Sequence, residues 1–249
     1  SRPRGGRPGT GSFMPLKKIR SLAVALLVIL GCVCLHGCGG GTSSAPPTNE
    51  PARRRPSTTP ASDGRSVLIT GRSVAYGWMS SWGYPGSGTV RKNGYVFSYG
   101  ELDRENIVSS FADITEGLPP GSVVFFKFCF VDFDGSNLAR RERELDEVVA
   151  TARSRDLRLV VGNALPVRKQ DGNVRIVAED REFNRLVERA ASENPGVWVL
   201  DLNGILAGDD GFLEPGYQTG DSHPNDRAYS AIDRAFFPLL DTVFEGAGR

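Results

Sequence analysis

Histidine is almost missing from this chain: there are two in 249 residues. One, His36, lies close to the N-terminus, which leaves His223 as the sole imidazole in the rest of the sequence. Cysteine is nearly as sparse beyond the N-terminal region. Of the four, Cys32, Cys34 and Cys38 sit together and only Cys129 lies further on. One histidine and one thiol cannot assemble a His/Cys metal cluster; a carboxylate site stays open, although Asp132-Phe133-Asp134-Gly135 lacks the full calcium-loop pattern, and no metal or cofactor is expected. If Cys38 is removed from pairing by a lipid, Cys129 has no intramolecular partner, and the downstream domain must stand on its own core. At about 180 residues it is long enough to bury roughly 70% of its unfolded surface. The formal net charge is only +1, which gives no hint of nucleic acid as a partner.

Acidic residues are absent from the first 37 positions, which carry six basic ones. Lys17, Lys18 and Arg20 follow Met14, and a mostly apolar run occupies 21–35. That run is short of the about 20 apolar residues needed to span a bilayer and fits the core of a secretory signal. It ends in Leu35-His36-Gly37-Cys38, which resembles a bacterial lipobox. The resemblance implies that the Cys38 thiol takes a lipid and that the protein is held on the bacterial cell envelope. A plain secretory signal and an uncleaved anchor fit the same residues. Ile29-Leu30-Gly31-Cys32 is a poorer version, with bulky Leu30 where a small residue is preferred. Positions 1–37 are therefore read as extension and leader. Positions 38–65, rich in Gly, Ser, Thr, Pro and Arg, are read as a flexible tether with too little apolar surface to order itself.

From 66 onward two kinds of segment alternate. Short β-branched or aromatic runs occupy 66–70, 95–99, 122–128, 157–161 and 197–202. Between them lie segments with helical spacing at 137–155, 180–191 and 228–244. Val123-Val124-Phe125-Phe126 is apolar on both faces, as a central parallel strand covered on both sides must be. The alternation predicts an α/β domain over 66–249: a three-layer α/β/α sandwich around a central, mostly parallel five-stranded sheet. Sites in such sheets gather at the carboxyl ends of the strands.

Two places there carry candidate chemistry. In Leu68-Ile69-Thr70-Gly71-Arg72-Ser73 a strand ends, a glycine allows a tight turn, and Ser73 stands where a helix should begin. A serine so placed can attack while amides of the helix N-terminus, its own included, hold an oxyanion. The same pattern also fits a helix N-cap. The second place is Gly220-Asp221-Ser222-His223-Pro224-Asn225, before the last helical segment. Any histidine-assisted mechanism outside the leader must use His223. Asp221 is placed to orient its ring, or to serve as a turn residue.

Together the two places resemble the SGNH, or GDSL-like, hydrolase family, over about 66–244. That family sets its serine in a Gly-Asp-Ser turn after the first strand and its Asp-x-x-His just before the last helix. Phe183-Asn184-Arg185-Leu186-Val187 and Val197-Trp198-Val199-Leu200-Asp201-Leu202 are similar to its late helix and fifth strand. The resemblance implies a flavodoxin-like fold and a serine esterase, with Ser73 as nucleophile, His223 as base and Asp221 as orienting acid. The implied substrate is a small-molecule or glycan O-acyl ester, acetyl on an envelope carbohydrate being the first expectation. A carbohydrate-binding protein that has lost catalysis and an O-acyltransferase are the alternatives on the same fold.

Three departures stand out. Arg72 replaces the family's Asp before the serine. Asp221 precedes His223 by two positions rather than three. The family's oxyanion Asn, in a Gly-x-Asn-Asp block after the central strand, corresponds to Val131, with Asp132 matching the last position. Losing one such donor typically costs about 2.7–4 kcal/mol in the transition state. Substitutes read from the sequence are Asn137, Lys127 and backbone amides near Gly100, beside the amide of Ser73 itself. Cys129, following a buried strand, reads as an inert packed thiol. Trp78, Trp82 and Tyr84 fit either stacking at a site mouth or core packing.

Overall fold

A computed structural model of the chain describes residues 65–246. The leader, Cys38 and all but the last residue of the tether lie outside the described residues. The elements run β1 (Arg65–Gly71), α1 (Ser73–Ser81), β2 (Thr89–Lys92), β3 (Tyr95–Glu101), α2 (Ile107–Thr115), β4 (Val123–Lys127) and α3 (Leu138–Ser154). There follow β5 (Arg158–Gly162), α4 (Val174–Glu193), β6 (Val197–Leu200), α5 (Leu202–Leu206) and α6 (Asp226–Glu245). The strands form one sheet in the order β2-β3-β1-β4-β5-β6, with only β2 antiparallel to its neighbour.

The five expected strands are β1, β3, β4, β5 and β6, and the sheet has six. The sixth, β2, is a short edge strand of Thr89-Val90-Arg91-Lys92 without a buried face. Its hairpin to β3 turns on Asn93 and Gly94, both at positive φ (48° and 80°), the Asn-Gly pairing that a two-residue hairpin favours. Lysine and arginine on an exposed edge discourage pairing with another chain. Helix α4 starts six residues before the expected 180, because Asn173 caps it by accepting from the amides of Arg175 and Ile176.

All five residues of β4 are buried, and its side chains alternate between two cores. Val123 and Phe125 face Trp78 of α1 and Phe236 of α6. Val124 and Phe126 face Phe111 of α2 and the core residues of α3 and α4, among them Leu145 and Phe183. This two-sided covering makes β4 the axis of the fold. Trp78, Trp82 and Tyr84 are buried in the first core, so core packing is their role. The indole N–H groups of Trp78 and Trp82 both reach Asp233 on α6, at 2.7 and 3.1 Å, so the polar edge of each ring is satisfied.

The carboxyl group of Asp180 on α4, a residue 2% exposed, lacks such satisfaction at both oxygens. Burial, with a smaller contribution from Glu179, pushes its pKa from 3.8 up to about 8. The folded chain thus keeps Asp180 protonated while the unfolded chain ionises it. Its contribution is fully present below about pH 4 and is lost progressively as pH rises towards about 8. Urea unfolding at stepped pH is expected to show this decline, and Asp180→Asn to flatten it; an unchanged slope in the variant would assign the decline to other groups.

Candidate active site

Ser73 opens α1 directly after β1 and is exposed. The N-cap is Arg72, in extended geometry (φ −123°, ψ −153°), and no side chain caps the helix. The serine hydroxyl is therefore not spent on capping. Gly71 allows the tight exit from β1, since a Cβ there would stand 2.7 Å from that of Ala75. Ser73 Oγ instead lies 3.0 Å from His223 Nε2, and His223 Nδ1 lies 2.9 Å from Asp221 Oδ1.

The two-residue spacing between Asp221 and His223 works through a local turn. Asp221 Oδ1 accepts the backbone N–H of His223 at 2.9 Å, as well as facing its ring, and accepts Thr219 Oγ1 at 2.9 Å. The backbone bond of His223 is the largest cause that holds this carboxyl below the usual range, followed by the His223 ring and then Thr219. Opposite the site, the ring of Phe130 meets the imidazole edge-on, with centroids 5.3 Å apart.

A second set of bonds fixes the loop that carries both residues. Ser222 is buried; its hydroxyl accepts the amide of Arg168 at 3.0 Å and donates to Asp171 Oδ2 at 2.6 Å. Arg168 pairs with Asp171 through two bonds of 2.8 Å and donates to the carbonyl of Gly220 at 2.5 Å. Arg168 first, then Ser222, depress the Asp171 carboxyl to about 2, so the clamp survives well into acid. No feature of the sequence marked these residues, which lie more than 50 positions from Ser222.

The other sequence candidates are placed as follows. Gly100 lies within β3 opposite Thr70, and a Cβ there would meet Ile114 of α2 at 2.5 Å; close helix packing accounts for this glycine. Asn137 donates one of its two side-chain N–H groups to the carbonyl of Asp132 at 2.7 Å. Lys127 is buried and donates to the carbonyl of Phe128 at 3.0 Å, and burial lowers its pKa. Neither Asn137 nor Lys127 is recorded in contact with Ser73. Cys129, buried as expected, lies unexpectedly close, with Sγ 4.0 Å from Ser73 Oγ. Arg72 is ion-paired with the nearly buried Asp132.

Two clefts are lined by candidate residues or their chain neighbours, one by Asp221 and Ser222 and the other by Arg72. One, of about 370 Å³, has apolar walls of Phe130, Val131, Phe133, Val167 and Ile176 and is bordered by Asp221. The other, of about 540 Å³, is bordered by Arg72 and by the charged side chains Glu101, Asp103, Arg104 and Asp113.

No family model and no curated protein matches the chain. Solved structures do. A GDSL-like lipase from Bacteroides thetaiotaomicron aligns with a TM-score of 0.55 at 12% identity, over 72% of this chain and 88% of that one. TesA aligns at 0.52 and 13%, over 72% and 99%. The OSK domain of Drosophila Oskar aligns at 0.51 and 12%, over 71% and 87%. At these identities the likeness establishes the shared fold, that of the GDSL-like lipases.

The clamp is open to a direct test. Asp171→Asn should loosen the 220–223 loop while leaving the core intact. We expect a thermal midpoint within a few degrees of the wild type and a broadened or shifted His223 ring signal by NMR. An unchanged ring signal would show that the loop holds without the clamp.

Proposed function

We propose that this chain is a serine esterase of SGNH type acting on O-acyl esters, and that Ser73, His223 and Asp221 are its catalytic residues. The observation that carries the reading is the run of contacts from Asp221 through His223 to Ser73. His223 Nε2 takes the Ser73 proton as Oγ bonds to the ester carbonyl carbon. The resulting imidazolium, steadied by Asp221, gives that proton to the departing alcohol. Water then attacks the acyl-enzyme, with His223 again as base, and releases the acid. The Ser73 amide, at the start of α1, contributes one oxyanion donor.

Two features bear on the substrate. The apolar cleft beside His223 suits the acyl group, acetyl being the smallest it would take. The cleft beside Arg72, with Leu102 and Ile114 on its wall and Glu101, Asp103, Arg104 and Asp113 at its border, offers both an apolar surface and hydrogen-bonding groups, as a sugar ring with hydroxyls requires. Combined with a lipid on Cys38, this makes an acylated cell-envelope glycan the proposed target. Radiolabelled palmitate should enter the full chain in a bacterial host and be lost in Cys38→Ala; equal labelling of both proteins would place the lipid elsewhere or nowhere.

The activity test uses aryl esters from acetate to octanoate. Ser73→Ala and His223→Ala should each reduce kcat by roughly 10⁴–10⁶-fold, and Asp221→Asn by up to about 10⁴-fold. Each methylene seated in the apolar cleft should raise kcat/KM by about fourfold until the cleft is full. A wild type no faster than Ser73→Ala across the series and on acetylated glycans would overturn the esterase reading.

A further inference from the structure

Trp78, Trp82 and Tyr84 are buried, and the ring that α1 leaves on its surface is Tyr76, 41% exposed. The exposed side of this helix carries Ser73, Tyr76 and Ser80, spaced by three and four, while Val74, Ala75, Trp78 and Met79 are buried. Tyr76 is therefore the neighbour of Ser73 on the open face, with Cβ atoms roughly 5–6 Å apart. Helical side chains lean towards the N-terminal turn, which here is the turn that holds the serine.

Two further tyrosines hold this ring in place. Tyr99 meets it edge-on with centroids 5.6 Å apart, and Tyr84 does so at 6.2 Å. Tyr84 and Tyr99 also meet each other, at 6.1 Å. The hydroxyl of Tyr99 donates to the carbonyl of Gly71 at 3.1 Å, which ties the cluster to the end of β1, two residues before the serine. The segment Pro85-Gly86-Ser87-Gly88 is exposed throughout. A Cβ on Gly86 would stand 3.4 Å from the Tyr76 hydroxyl, so this stretch passes the tip of the ring without a bulky side chain to cover it. The tyrosines also adjoin the cleft beside Arg72. Glu101 borders that cleft and is, after burial, the largest influence raising the pKa of Tyr99.

We propose that Tyr76 is a platform for the alcohol half of the substrate, taking the flat C–H face of a sugar ring whose ester carbonyl is at Ser73. The inference rests on Ser73 being the nucleophile, and it gives the proposed glycan a definite seat. The face of an aromatic ring is negative, and the C–H bonds of a pyranose are weakly positive at hydrogen. The sugar hydroxyls project around the rim, where an exposed carboxylate such as Glu101 accepts them. The acyl group goes the other way, into the cleft of Phe130 and Val131 beside Asp221. A ring already held by two neighbours loses little freedom when a ligand lies on it. Tyr76 takes no proton and makes no bond in the reaction, so its effect falls on the choice of alcohol.

The test measures kcat and KM on two acetates that differ only in the alcohol, a methyl O-acetyl-glucopyranoside and ethyl acetate, for the wild type, Ser73→Ala, Tyr76→Ala and Tyr76→Phe. The wild type should prefer the glycoside in kcat/KM. Tyr76→Ala should cut that preference about tenfold, chiefly through a higher KM for the glycoside, as the loss of on the order of 50 Å² of apolar contact implies. Tyr76→Phe keeps the ring and should keep most of the preference; a residue that merely supports the helix would not divide the two acetates. If the alanine variant does not fold, Tyr76→Leu, which fills the space without a planar ring, carries the same expected loss. A preference unchanged in Tyr76→Ala, lost equally in Tyr76→Phe or absent from the wild type overturns the platform while the esterase reading stands. A wild type no faster than Ser73→Ala on both acetates removes both.

Discussion

The 3.0 Å approach of Ser73 to His223 joins residues 150 positions apart, and the site depends on it. Neither residue can make the approach alone. Ser73 is fixed by the start of α1, and His223 lies just ahead of α6. What brings them together is that both helices pack on the same face of the sheet. Trp78 of α1 and Phe236 of α6 meet edge-to-face, with centroids 4.7 Å apart, and both meet Phe125 of β4 in the same way. Burial supplies the force but little direction, because apolar contact is not specific about register. Direction comes from Asp233, which accepts both indole N–H groups of Trp78 and Trp82. A shift of α6 by one residue would strand two buried donors, so the pairing fixes the helix that follows His223.

Fixing α6 does not fix the loop before it. The segment 219–223 is irregular, so its geometry must be set by individual hydrogen bonds. Two kinds serve here. Asp221 turns the chain back on itself and binds backbone and ring of the same histidine. Ser222, Arg168 and Asp171 anchor the loop from outside. The first set orients the imidazole and the second positions it. Asp221 is exposed, so water weakens its bonds individually, whereas Ser222 is 3% exposed, so the hydroxyl at the centre of the anchoring set is shielded even though Arg168 and Asp171 reach solvent.

The layout of the fold was legible wherever burial shapes composition. Five strands could be read because each buries a β-branched or aromatic face, and Val123-Val124-Phe125-Phe126 marked the centre. β2 escaped notice because it buries no face; only Asn93-Gly94 announced it. α2 was missed although Ile107, Phe111 and Thr115 repeat every four residues, since a helix of this length gives a weak period. In the candidate site, Ser73 and His223 could be read from chain position and from the scarcity of histidine. Tertiary partners could not. Nothing in the sequence shows that the Asn137 amide is drawn to the carbonyl of Asp132. The pairing of Arg72 with Asp132 spans 60 positions, and no local pattern encodes it.

The charged groups beneath the serine fit one economy. Arg72, Lys127 and Asp132 are buried or nearly so, and buried charge is tolerated only when compensated. Burial is the largest influence on Lys127 and works against its charge, while Arg72 keeps its proton under all ordinary conditions. Arg72 and Asp132 compensate one another directly, and the backbone amide of Cys129 holds the carboxylate from its other oxygen, so the pair is fixed on both sides beside the residue whose thiol lies 4.0 Å from Ser73 Oγ.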